Sequence, residues 1–440
     1  MLSWISCYLL FRVSRGSVGV ATSSSSKGNG FLNYNVIVVN DFAHVEGGAT
    51  QVAIASAIGL ANQGHQVTYL SAVGPVAPEL LESPVRVMLT GQHAIAKDPS
   101  RIRAVMQGLW NMKSRRFLEG ILQGSDPRST ILHLHGWTKA LSSSVIRLAL
   151  RRSVPVVCTL NDYFTACPNG AFLDYPKTEI CTRKPLSGSC LMAQCDNRGY
   201  SHKMWRVLRQ CVQRRWGMVP ESIKHFIKVS DFSLSILRPY LPDGAIVYAL
   251  PNIIDIPLQP PVKVMANSAY TMVGRLSREK GPISFADAAA RGAFKAVFVG
   301  EGDCRGQVQD LRPEAEVTGW CSRAQVIERL RQARALVFPS LWYEAQPLAI
   351  REAAAMGIPA IVSDRCAGRD DVMDGVTGLW FRGGDVDDLV RKMRRMEDDE
   401  AVQKMGQAAY RRYWQNPTTV DRHVVELKRI YEQVLKGPNS

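Results

Sequence analysis

The chain has 440 residues, a formal net charge of +15 and 46% hydrophobic residues. That length points to two or three domains, and that composition supplies enough apolar side chains for real cores. No apolar run reaches the ~18 residues a spanning helix needs, and no module interleaving aromatic and basic residues speaks for nucleic acid.

Residues 1–32 contain no Asp or Glu and read as a disordered leader. The apolar start MLSWISCYLLF lacks the preceding charge of a secretory signal, and SSSSKGNG has the composition of a flexible linker. A targeting segment and weak interfacial anchoring are the alternatives. From Asn33 the elements alternate. Asn33–Asn40 reads as a buried strand, Asp41–Thr50 as a loop with Gly47-Gly48, Gln51–Asn62 as a helix and Gln66–Ser71 as a second strand. Strand, glycine loop, helix, strand opens a doubly wound sheet, and the glycine pair permits close approach of backbone to a ligand. Arg101–Leu122 reads as helical. Thr130–His135 reads as a strand whose end, at His135, lies where open α/β sheets place ligands.

Val154–Leu160 reads as the next strand and leads to Asn161-Asp162-Tyr163. An excursion follows that is rich in proline and glycine, with Cys167, Cys181, Cys190 and Cys195 inside 29 residues. Such a segment buries little by itself and often needs a staple, so a structural zinc on these four thiols is one expectation. Unlinked structural thiols and disulfides are the others. Lys203–Trp216 reads as a basic helix, and Arg198–Arg215 and Arg391–Arg412 are arginine clusters. They suit an anionic membrane surface or phosphorylated molecules, or simply a solvated basic face. His225–Val229 and Ala245–Ala249 read as strands, Ser230 as a helix cap, and 251–268 as a linker.

Ala269–Gly274 starts a second run of alternating elements. Arg275 and Lys280 fall in the loop after that strand, spaced so that both cations can meet one diphosphate. Glu344 and Glu352 are separated by seven residues. Pro347 suits a first helical turn, Leu348–Met356 is built of helix formers, and Gly357 and Pro359 end the helix. Glu344 therefore precedes a helix N-terminus, which is an anion site, and Glu352 lies inside the helix. Carboxylates on each side of such a site can accept hydrogen bonds from the hydroxyls of a bound polyol, and the whole describes a nucleotide-sugar.

The stretch SLWYEAQPLAIREAAAMGIPAIVSD resembles the E-x7-E motif of retaining family 4 glycosyltransferases, and Arg275 with Lys280-Gly281 resembles their GR-x(4)-KG donor motif. The resemblance covers about residues 34–430. It implies an α/β chain of GT-B fold: two Rossmann-like doubly wound domains, at 33–250 and 269–415, facing across a cleft, with a final helix at 416–440 crossing back. It also implies sugar transfer with retention from a UDP- or GDP-sugar to a glycan or lipid-linked acceptor, in polysaccharide biosynthesis. Under it, Gly47, Gly48, Arg275, Lys280 and Glu352 bind the donor, and His135 and Glu344 act on the transferred sugar. No catalytic metal is expected, the place is cytoplasmic with peripheral contact to an anionic membrane, and no nucleic acid takes part. Three departures stand out. Asn161 replaces a common histidine, Ile253-Ile254 replaces a Gly-Val pair, and Asp370-Asp371 stands where a glutamate is usual. The rival readings are a GT-B nucleotide-sugar epimerase, a non-catalytic sugar-nucleotide-binding scaffold and, least favoured, a nucleic-acid binder.

Overall fold

The computed structural model describes residues 34–436, so the leader expected at 1–32 lies outside the described residues. Two parallel sheets carry the chain. In the first, seven strands stand in the order Arg86–Leu89, Gln66–Ser71, Asn35–Val39, Thr130–Leu134, Val156–Thr159, His225–Lys228, Ile246–Ala249. Every neighbouring pair is parallel. In the second, six strands stand in the order Glu316–Val317, Lys295–Val299, Ala269–Val273, Ala333–Phe338, Ala360–Ser363, Gly378–Phe381, again all parallel. Parallel strands need helical crossovers, so both sheet faces are covered and the strands read as near-continuous apolar runs such as VIVV and ALVF. This is the α/β class that the alternation of elements implies.

Each sheet has one point where its strand order reverses. In the first it lies between Asn35–Val39 and Thr130–Leu134; in the second, between Ala269–Val273 and Ala333–Phe338. At such a point two adjacent strands send their chains to opposite sides and leave a crevice at their carboxyl ends. The loops that follow these four strands carry Gly47, His135, Arg275, Lys280 and Glu344.

Some bounds differ from the sequence reading. The first helix is Gly48–Asn62 and starts three residues earlier than expected, taking Gly48 into its first turn. The helix expected over Arg101–Leu122 is two helices, Arg101–Leu109 and Met112–Leu122. Trp110 is extended between them, and the Asn111 side chain accepts from the Ser114 amide, capping the second helix. A good N-cap outcompetes one more turn of helix.

The final helix, Val420–Lys436, packs into the first lobe. Its Val424, Leu427, Ile430, Tyr431 and Val434 share a core with Val36, Val38, Ile54 and Leu60. Two polar contacts fix its register: the Tyr431 hydroxyl lies 2.7 Å from His133 Nδ1, and His423 Nε2 lies 3.0 Å from Ser56 Oγ. Leu427 is fully buried there, so Leu427→Ala is expected to cost about 2–5 kcal/mol. Urea unfolding monitored in the first lobe checks this; a loss well under 1 kcal/mol would mean that the helix adds little to that core.

Candidate functional site

The loop Pro339–Pro347 of the second lobe is the meeting place of the site. Glu344 sits in it with φ +49, a left-handed conformation that costs a non-glycine residue about 1–3 kcal/mol. Its carboxylate is buried, and three donors meet one oxygen. Lys280 Nζ lies 2.6 Å, Trp342 Nε1 2.7 Å and Ser340 Oγ 2.9 Å from Glu344 Oε1. Oε2 has no protein partner among the described residues and is left for a ligand. The loop bearing Lys280 is stitched to this one by the Leu341 amide, which donates to the Glu279 carbonyl at 2.8 Å. Gly281 makes the turn beneath: its φ is +72, and a Cβ there would collide with the Pro339 carbonyl.

Arg275 is largely exposed and donates to Glu279 Oε1 at 3.1 Å, while Ser277 donates to the same oxygen at 2.6 Å. Glu352 lies in the helix Leu348–Ala355, buried, with Arg323 at 3.6 Å as its cation. Burial pushes its pKa up, against the pull of Arg323. Arg323 was not singled out from sequence, because only the folded chain brings it beside Glu352.

The first lobe supplies the other wall. Neither helix Gly48–Asn62 nor helix Leu348–Ala355 has a side-chain cap at its N-terminus. The two ends meet: a Cβ on Gly48 would lie 2.9 Å from Leu348 Cδ1. Free amides at two such ends, with Lys280 and Arg275 nearby, favour an anion. Tyr163 is fully buried and donates to the Glu344 carbonyl at 2.6 Å, Ser230 donates to the Ala345 carbonyl at 2.6 Å, and the Asn252 amide donates to Gln346 Oε1 at 2.7 Å. Tyr343 completes the join between rings of Tyr163, Phe172 and Phe232. Sequence reasoning missed these lobe-to-lobe contacts; the one signal was the aromatic run Trp342-Tyr343 just before Glu344.

His133 and His135 point to one side of their strand, with ring centroids 4.2 Å apart. They differ in partners. His133 is fixed by Tyr431 and by Thr159, 2.7 Å from each. Among the described residues both ring nitrogens of buried His135 lack a partner, an arrangement that costs free energy.

Among the described residues no group of three or more His, Cys, Asp or Glu is placed to hold an ion, at Cys167, Cys181, Cys190 and Cys195 or elsewhere, and all described cysteines are free thiols. Cations of the helix Tyr200–Arg215 reach into the segment. Lys203 Nζ lies 3.1 Å from Cys195 Sγ and 3.4 Å from Cys190 Sγ, Arg206 pairs with buried Asp196 at 2.9 Å, and Arg209 donates to the Thr138 and Pro168 carbonyls.

Two family models match the chain: "Glycosyl transferases group 1" over residues 262–412 and "Glycosyl transferase 4-like domain" over residues 47–187. The chain belongs to the family 4 type of glycosyltransferases, with the GT-B fold. Over 178 residues it is 29% identical to the UDP-Gal:alpha-D-GlcNAc-diphosphoundecaprenol alpha-1,3-galactosyltransferase of Escherichia coli, covering 37% of this chain and 44% of that one. Over 171 residues it is 30% identical to the lipopolysaccharide 1,6-galactosyltransferase of Salmonella typhimurium, covering 36% and 47%. The chain thus spans somewhat less than half the length of these relatives. Among solved structures, sucrose-phosphate synthase from Thermosynechococcus elongatus superposes with a TM-score of 0.68 over 92% of this chain and all of that one, at 17% identity, a likeness of fold.

The buried histidines make stability depend on pH. Burial first, then neighbouring His423, lowers the His135 pKa to about 3, and burial lowers that of His423 to about 4. His133 is also held well below the ordinary value, chiefly by burial. The unfolded chain takes up these protons below pH 6.5 and the folded chain does not. The stability that keeping these histidines neutral contributes is therefore complete above pH 6.5 and is lost as pH drops toward 3–4. His135→Gln is expected to lose less thermal stability than the parent between pH 7 and pH 4. Identical losses would show that His135 is protonated in the fold.

Proposed function

We propose that the chain moves a sugar from a nucleotide-diphosphate donor, a UDP- or GDP-sugar, to a glycan or lipid-linked acceptor, with retention at the anomeric carbon. The observation that carries this reading is the convergence of Lys280, Glu344 and two uncapped helix ends on one crevice between the lobes. In the proposed complex the diphosphate sits against the free amides of Gly48 and Leu348. Lys280 and Arg275 offset the charge that grows on the diphosphate as the glycosidic bond breaks, and such preorganised donors act most strongly where water is excluded. Glu352 accepts from the ribose hydroxyls, and Glu344 Oε2 accepts from hydroxyls of the transferred sugar. His135, neutral at pH 7, takes a sugar hydroxyl on its unpartnered nitrogens. Gly47 gives the loop before the first helix room for the phosphates, and exposed Trp320 lies on the loop leading to Arg323, where a base can stack.

The galactosyltransferases of Escherichia coli and Salmonella named above support a sugar donor, and the first of them is named for a UDP-sugar and a lipid diphosphate acceptor. The arginine-rich surfaces suit work on such an acceptor at the face of an anionic membrane. Among the described residues no helix is long and apolar enough to cross a membrane.

Thermal-shift titration with UDP, GDP and their sugar conjugates tests the donor class through ligand-linked stabilisation. One of the two nucleotide series should raise the melting temperature with dose; no response to either overturns the reading. Arg275→Ala and Lys280→Ala should each lower donor use at least roughly tenfold, since each removes a charged hydrogen bond of about 1.5–3 kcal/mol. Near-normal transfer by both variants contradicts the assignment. Tyr163→Phe removes the hydroxyl that ties the lobes through the Glu344 carbonyl. It is expected to lower kcat several-fold with little change in affinity for free UDP or GDP, and unchanged single-turnover transfer would refute a positioning role.

A further inference from the structure

The helix Tyr200–Arg215 is partly inverted. It buries Lys203, Arg209, Gln210 and Gln213 alongside Val207 and Val212, while Tyr200, Met204, Leu208 and Cys211 form an exposed stripe at helical spacing. Trp216, 60% exposed, continues the stripe past the helix end. The helix packed beside it, Arg101–Leu109, repeats the inversion. It buries Ala104, Gln107 and Gly108, the last against Trp205, and exposes Ile102 at 80%, Val105 at 39% and Met106 at 62%. Two adjoining helices that show apolar stripes to water mark a docking face rather than scattered exposed residues.

The charge around the stripes selects the occupant. Residues 99–118 contain five Lys or Arg and no Asp or Glu; residues 197–220 contain six and none. Lys203, Arg206 and Arg209 of that second group turn inward, but Arg101, Lys113, Arg116, Arg198 and Arg215 are exposed. The acids that bound these runs are each paired, Asp98 with Arg103, Glu119 with Arg152, Asp196 with Arg206 and Glu221 with Arg214, so the unpaired charge around the apolar side chains is positive. With Tyr200 and Trp216 at the two ends of the helix, that fits the boundary between anionic headgroups and acyl chains.

We infer that this face, formed by the outer sides of helices Arg101–Leu109 and Tyr200–Arg215, docks the protein on an anionic lipid bilayer. The inference deepens the reading of a lipid-linked acceptor and rests on it for its purpose. The inner side of the same helix holds the Asn169 and Pro168 carbonyls, and from that excursion Phe172 reaches Tyr343 beside Glu344. A bilayer on the outer side thus stands one layer of protein from the crevice, on the first lobe's side, where an acceptor headgroup would enter.

The test uses the full chain and sedimentation with phosphatidylcholine vesicles, with and without phosphatidylglycerol. The wild type is expected to bind the anionic vesicles and to be released by salt. Arg116→Ala with Arg215→Ala should weaken partitioning about thirtyfold, taking roughly 1 kcal/mol per cation near an anionic surface. Met204→Glu with Leu208→Glu should abolish it. These exposed positions are outside the donor site, so both variants should keep the wild-type thermal shift with nucleotide-sugar. Absent binding by the wild type, equal binding to neutral vesicles, or equal binding by the variants, which would move the contact elsewhere in the chain, each overturns the inference. So does a wild-type dimer in sedimentation velocity that the Met204/Leu208 variant dissolves, since a second copy would then cover the face. Vesicle binding without any nucleotide response would instead refute the proposed function and leave the docking face standing.

Discussion

The strained residue Glu344 is the constraint on which the arrangement of both lobes depends. A left-handed backbone at a glutamate is unfavourable by itself, and it persists only where the surroundings over-determine it. Here they do so from two directions. The second lobe grips the carboxylate through Lys280, Trp342 and Ser340, and the first lobe grips the backbone through Tyr163 and Ser230. The conformation is therefore held from both lobes at once, and the loop that carries Glu344 is the place where they join.

The same junction accounts for the electrostatics. A buried carboxylate without a cation is costly, and so is a buried cation without an anion. Glu344 and Lys280 satisfy each other before any donor arrives, which keeps Lys280 positioned. Arg275 is exposed and bonded through one nitrogen to Glu279, while Lys280 is largely buried against Glu344. In the proposed reaction Lys280 fixes where the diphosphate lies, and Arg275 offsets the charge that develops on it. The two uncapped helix ends add fixed partial charges that need no rearrangement.

The fold class was readable because parallel strands buried on both faces must be apolar runs, and the spacing between them leaves room only for crossover helices. The helix Leu348–Ala355 was readable for local reasons as well: Pro347 before it, alanines within it, Gly357 after it. What could not be read were contacts between distant parts of the chain. Nothing near Tyr163 says that its hydroxyl will reach residue 344, and nothing near Arg323 says that it will face Glu352. The surroundings of the cysteine quartet were illegible for a related reason: spacing along the chain counts thiols, but Lys203 arrives from a helix beyond the segment and lies against Cys190 and Cys195.

The surface that the excursion offers explains the partly inverted helix. The excursion 167–195 carries too few apolar side chains to pack against a helix in the usual way, and what it offers inward are carbonyls, an aspartate and sulfurs. A helix that covers such a surface must present donors, so Lys203, Arg206, Arg209, Gln210 and Gln213 turn inward. With helical periodicity fixed, polar residues on the inner side leave the outer side as the place for any apolar ones, but they do not require apolar ones there. Serines and glutamates would serve a helix facing water. Tyr200, Met204 and Leu208 on that side therefore answer to something outside the protein, and the cations around them say that it is negatively charged.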